Sequence, residues 1–302
     1  MIEDRFVSPK ELARAIGASE STLKRWVDSG RIQVARTAGG HRRITLREAL
    51  RFIRESGQEV LNPEALGIDY LPSDAMTGST EAGGDDALVA ALVRGDAEVS
   101  RRILLQRFLG GESVAALCDG PVSQALHQVG TQWQQRDDGV FVEHRTTLVA
   151  IQAMMQLRAL IQLASPDAPV AVGGGIAGDP YMVPTLMVST VLAAQGWRET
   201  NLGANTPVSA FREAIRAYHP RLIWMSFSSH DAGDKFLREW GGILDLAEER
   251  GIAVLVGGQA FPAKAAAAHG HRFHRLANME ALAGFVRALV LQQRSASARP
   301  DS

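Results

Sequence analysis

Four short stretches gather side chains able to hold a ligand. Asp179-Pro180-Tyr181-Met182-Val183-Pro184 sets a carboxylate and a phenol between two prolines, just after the run VGGG at 172–175. NLGANTP at 201–207 contributes the Asn205 amide. SFSSHD at 226–231 contributes the hydroxyls of Ser226 and Ser228, and VGGQAF at 256–261 contributes Gly257 and Gly258, whose small size leaves room for a ligand tail between strands. Ser, His and Asp neighbours on one strand end cannot form a catalytic triad, which needs partners converging from separate elements. A second set, Trp133, Glu143 and His144, offers an indole, a carboxylate and an imidazole across the turn RDDG. A third set is cationic. Ser21, Thr22, Lys24 and Arg25, with Arg36, His41, Arg42 and Arg43 further on, suits phosphates and base edges.

The elements that must position these groups fall into blocks. Apolar runs at 169–174, about 198–202, 221–227 and 252–256 read as strands, separated by helical stretches at 181–196, 207–217, 233–249 and 259–268. A last helix is expected over 278–292, preceded by a short strand at 272–276. Such alternation with glycine-rich strand ends predicts a doubly wound parallel sheet over residues 166–294, and ligands of such sheets bind outside the carboxyl ends of the strands. Residues 85–165 show only helical spacing, in DDALVAALVRGD, EVSRRILLQRFLGG, 113–136 and 140–163, with breaks that fit an antiparallel bundle. Residues 57–84, rich in Gly, Pro, Ser, Asp and Thr, read as a flexible linker, and 295–302 as a disordered tail. The whole is multidomain, α plus α/β.

Composition narrows the partners. Residues 1–56 hold 12 Lys and Arg against 7 Asp and Glu, and the rest 20 against 26, so a basic head precedes an acidic body. One cysteine, Cys118, excludes an intrachain disulfide and fits a reducing cytoplasm. No apolar run is long enough for a membrane span.

Within the head, Ser8 with Glu11 forms a capping box, Gly17-Ala18-Ser19 makes a tight turn, and Ser19 or Ser21 can cap the next helix. Ala13, Ile16 and Leu23 supply contacts between the helices. Arg36-Thr37-Ala38-Gly39-Gly40-His41-Arg42-Arg43-Ile44 follows as a Gly-turned wing. This stretch resembles the winged helix-turn-helix domain of the MerR family, whose RTxGGHRRY follows the helix-turn-helix, here with Ile44 in the aromatic place. The resemblance implies binding to a duplex DNA operator. The coiled coil that pairs such proteins is replaced here by the linker, so a dimer or tetramer must form through the bundle or the α/β block.

On the bundle alone, Trp133, Glu143 and His144 read first as a core indole beside a hydrogen-bonded Glu–His pair, and second as the roof over a planar ligand. Trp-x9-Glu-His above a flavodoxin-like domain resembles the cobalamin-binding module. Joined to a MerR head, the chain resembles the light-responsive, adenosylcobalamin-dependent repressors of the CarH, LitR and CarA type. That resemblance implies a cofactor held among Trp133, Glu143, His144, Asp179, Tyr181, Asn205, Ser226, Ser228, Gly257 and Gly258.

The chain departs from the pattern at two places. The family's first loop reads Asp-x-His-x-x-Gly, its His giving an imidazole to cobalt from below. Here Tyr181 takes the His place and Pro184 the Gly place, and Gln134 stands where a light-sensing member carries an upper His. A neutral phenol is a poor cobalt ligand beside imidazole. Three readings follow: cobalamin held without a protein nitrogen below, another bulky tetrapyrrole, or no cofactor and a module for oligomerisation or partner docking. His144, His230, His269, His271 and His274 are substitute ligands to consider, the last three reading as scattered surface histidines. A corrinoid carrier for an enzyme is the alternative from another class, though a DNA-binding head argues for a regulator without catalytic residues.

Overall fold

The structure, a computed structural model, describes residues 5–36, 40–68, 84–132, 138–230, 233–262, 265 and 272–297. It divides into two compact units, Met1–Gln162 and Leu163–Ser302.

The first unit opens with β1 (Phe6–Val7), α1 (Pro9–Ala15), α2 (Glu20–Asp28), β2 (Ala35–Arg36), β3 (Arg42–Thr45) and α3 (Leu46–Ser56). Local chemistry sets each boundary. Ser8 and Glu11 form the expected reciprocal capping box on α1, Ser19 caps α2, and the Thr45 hydroxyl accepts from Glu48 N at 3.2 Å to start α3. Gly17 turns the chain with φ at +67°, and a Cβ there would sit 2.6 Å from Leu61 Cδ1, so only glycine fits that turn without displacing Leu61. Leu12, Leu23, Ile44, Leu50 and Ile53 are fully buried among these elements, with β3 at the centre of a small antiparallel sheet.

The segment expected to be linker from Gly57 is packed as far as Ile68. Leu61 N and Asn62 N both donate to Ala15 O, at 2.8 and 2.9 Å, and Pro63–Leu66 forms a 3₁₀ turn with Pro63, Ala65 and Leu66 buried. Burial of Val60, Leu66 and Ile68 against α1 outweighs the turn-forming composition. The rest of the expected linker, residues 69–83, lies outside the described residues.

The bundle follows as α4 (Gly84–Arg94), α5 (Ala97–Leu109), α6 (Val114–Leu117), α7 (Ser123–Gln132) and α8 (Gly139–Ala159). A π turn at Cys118–Val122 breaks the helix expected over 113–136, because Pro121 has no N–H to continue the ladder. Head and bundle touch through α3. The Arg54 guanidinium lies 3.7 Å from the Phe108 ring centroid and donates to Glu112 O at 3.1 Å, while Arg47 Nε donates to Ala159 O at 2.8 Å. Burial there lowers the pKa of Arg54 from its ordinary value.

The second unit contains β4 (Val170–Gly175), α9 (Met182–Ala194), β5 (Arg198–Asn201), α10 (Val208–Tyr218), β6 (Leu222–Ser226), α11 (Gly233–Glu239), α12 (Gly241–Glu249), β7 (Ala253–Gly257), β8 (His274–Arg275) and α13 (Met279–Ser297). The strands are parallel in the order β5-β4-β6-β7-β8, the doubly wound topology expected. One sheet face packs Ile223, Met225 and Val254 on Phe211, Phe236 and Trp240. The helix expected over 233–249 is interrupted at Trp240, whose indole is 1 % exposed and 5.4 Å from the Phe273 ring. Most of the helix expected at 259–268 lies outside the described residues, and α13 runs past 292 into the expected tail.

Candidate functional site

On the head, the outward face of α2 exposes Ser21, Lys24 and Arg25, with Thr22 half-buried; on the wing Arg36, His41 and Arg43 are exposed. Ser21 and Thr22 are less available than their position suggests. Both hydroxyls lie 2.9 Å from the capping Ser19 Oγ, which also accepts from Thr22 N. Arg42 is half-buried and already has a partner. Its Nη2 donates to Asp28 Oδ1 at 2.7 Å, joining the wing to the end of α2. Alternation along β3 places Arg42 on the side of buried Ile44 and Arg43 on the other. A shallow groove of about 330 Å³ runs over this surface, lined by Pro9, Lys10, Glu20, Ser21, Lys24 and Arg42. Behind it, buried Glu48 accepts from Gln33 N at 2.7 Å and pairs with Arg51, whose Nη2 also donates to Arg31 O at 3.0 Å. Glu48 thereby fixes the loop between α2 and the wing. An acidic residue in the apolar run of α3 was its signal in the sequence.

In the second unit the strand-end loops converge as expected, but the polar groups have other tasks. Asp179 is fully buried. Its Oδ1 accepts from Tyr181 N at 3.1 Å, and its Oδ2 accepts from Ser228 N and from Ser229 N, the latter at 3.2 Å. Asn205, at φ +55°, accepts from Gly178 N through Oδ1 at 2.7 Å, and its own N donates to Asp179 O at 2.9 Å. Asp179 and Asn205 therefore stitch three loops together. Ser226 and Ser228 do meet, their hydroxyls 3.2 Å apart. Gly258, expected to leave room for a ligand, has a different reason to be glycine. Its φ is +103°, and a Cβ would lie 2.1 Å from Phe227 O.

Space beneath this rim is limited. A Cβ on Gly173 would lie 2.2 Å from the Trp224 ring, and Trp224 is 2 % exposed, so its indole fills the layer at that depth. Above the rim, Tyr181 and Met182 are 48 % and 45 % exposed and offer an apolar edge. Thr185 and Asn201, passed over in the sequence, lie below that edge: Asn201 Nδ2 donates to Thr185 Oγ1 at 3.3 Å. The arrangement fits a flat ligand resting on the edge. It does not fit a metal bound from below, since the Asp179 carboxylate is occupied and residues 176–182 include no imidazole.

On α8 the Glu143 and His144 side chains lie 3.5 Å apart, and Glu143 also accepts from Thr147 Oγ1 at 3.3 Å. His144 is exposed, on the same face as exposed Phe141, Leu148 and Met155. Trp133, Gln134, His269 and His271 lie outside the described residues, while His230 and His274 are exposed. Among the described residues no group of three or more His, Cys, Asp or Glu is arranged to hold a metal ion. Among them, too, no helix is long and apolar enough to cross a membrane.

Known proteins resemble the chain in parts. Residues 6–57 match the family described as a helix-turn-helix domain. Over 236 residues the chain is 26 % identical to the HTH-type transcriptional repressor CarA of Myxococcus xanthus, covering 75 % of this chain and 78 % of that protein. The solved structure of the Methanosarcina barkeri monomethylamine corrinoid protein superposes with a TM-score of 0.52 at 16 % identity, covering 67 % of this chain and 96 % of that one. That likeness is one of fold.

Proposed function

We propose that the chain is a DNA-binding transcriptional repressor whose α/β unit senses a corrinoid, adenosylcobalamin foremost. The observation that carries the DNA-binding part is the helix-turn-helix with Lys24, Arg25 and Arg43 exposed on one basic head. The likeness to a repressor along three quarters of the chain supports the regulatory part, and the fold shared with a corrinoid protein supports the ligand class. When bound, adenosylcobalamin supplies a light-absorbing ring with a removable upper group. This chain's part is to seat that ring on the Tyr181–Met182 edge, with Asp179 and Asn205 holding the edge in place. Residues 176–182 would offer a bound corrinoid a phenol and no imidazole, so they would supply no protein nitrogen to its metal.

A second reading is favoured by α8. Phe141, Leu148 and Met155, seven residues apart, form an exposed apolar stripe suited to a homo-oligomer contact, so the module can serve assembly without a cofactor. Titration of the full chain and of Tyr181→His with adenosylcobalamin, in darkness and after illumination, separates the two. The corrinoid reading expects wild type to bind with no imidazole signature on cobalt, and Tyr181→His to shift the spectrum toward an imidazole-ligated form. Absence of binding by both proteins sinks the corrinoid reading and leaves the assembly reading with the DNA-binding head.

A further inference from the structure

The outward face of α2 carries Glu20, Ser21, Lys24, Arg25 and Asp28, all exposed. Asp28 is taken by Arg42, and the Ser21 hydroxyl is held in the cap of Ser19. Glu20 lies in the first turn of α2, where its charge suits the helix N-terminus, but no strong side-chain pairing holds it. Its nearest cation is Lys10, with Oε1 and Nζ 3.9 Å apart and side chains 69 % and 81 % exposed, a pair that water screens almost completely. Yet Glu20 shares the groove with Lys10, Lys24 and Arg42, on the surface that would meet a polyanion. There the phosphates repel a carboxylate, and duplex DNA offers it an attractive partner only in the exocyclic amines of its bases. In the major groove the geometry of Glu suits the cytosine N4 amine.

We infer that Glu20 is a sequence-reading residue of this head, accepting a hydrogen bond from the N4 amine of a cytosine next to the base or phosphate that Lys24 contacts, the two side chains being one turn of α2, about 6 Å, apart. The inference rests on the DNA-binding reading above. It makes Glu20 a discriminator that lowers affinity for DNA in general and restores it where a cytosine stands in register.

Selection from a library of randomised duplexes tests it, with the full chain as wild type, Glu20→Ala and Glu20→Gln. Wild type should enrich a motif with cytosine at one position of each half-site. Glu20→Ala should lose roughly 10-fold discrimination at that position alone and bind unselected DNA more tightly. Glu20→Gln should move the preference there to adenine, whose N6 and N7 match an amide. An unchanged motif in both variants, with or without a lower melting temperature, overturns the inference and leaves Glu20 a helix-stabilising residue. Failure of wild type to enrich any motif overturns the DNA-binding reading along with it.

Discussion

The head and the strand-end rim of the α/β unit both gather polar side chains at the ends of secondary structure, and they use them in opposite ways. In the head the fastening is done by Ser8, Ser19, Glu48 and the Asp28–Arg42 pair, which leaves Lys24, Arg25 and Arg43 exposed at the surface. In the rim the residues most suggestive of binding, Asp179 and Asn205, are themselves the fastening, and the free surface is the apolar pair Tyr181 and Met182. A polar residue in a loop thus signals a site only when the backbone around it is already satisfied by something else.

Asp179→Ala should break that contrast most severely. It strips three main-chain N–H groups of their acceptor in a buried place, at a cost of about 3 kcal/mol. The unfolding transition of the α/β unit should move to clearly lower urea, while helix-turn-helix binding to DNA is retained. Arg54→Ala comes next. It removes the stacking on Phe108 and the bond to Glu112 O, so the contact between head and bundle should weaken by about 1 to 2 kcal/mol, seen as faster proteolysis within residues 57–84.

The smallest effect belongs to Glu11. The Ser8 main-chain N–H and hydroxyl favour its charged form and lower its pKa from the ordinary 4.5. The stabilisation this gives is therefore complete above pH 4.5 and is lost as pH falls through the lower folded value. The side chain is exposed, so the gain is under about 1 kcal/mol. Melting curves taken through the acid range should show a shallower fall for Glu11→Gln than for wild type.

Features set by neighbours in sequence were legible in it. The capping box at Ser8 and Glu11, the turn at Gly17 and the strand–helix alternation from Val170 onward follow from short-range rules, and all three are present. Features set across long stretches of chain were not. Nothing near Asp179 announces Ser228 and Ser229, some fifty residues away, as its partners, nor does Gly258 announce Phe227 O. The break at Trp240 arises from packing on Phe273 and Phe261, and the ordering of residues 57–68 from the buried Val60, Ala65, Leu66 and Ile68 and the bonds to Ala15 O, where turn composition alone suggested a linker.

The claim that the head is the DNA-facing surface is tested most directly by the salt dependence of duplex affinity. The full chain should be titrated onto one selected duplex at several salt concentrations, beside Lys24→Ala/Arg25→Ala/Arg43→Ala. All three cations are exposed, so their removal should leave the fold intact. Each phosphate that the protein no longer neutralises lowers the slope of log affinity against log salt by about 0.9, so the variant should bind more weakly with a slope smaller by about 2 to 3. A variant whose affinity and slope match wild type would contradict the account and place the DNA-binding surface elsewhere on the chain.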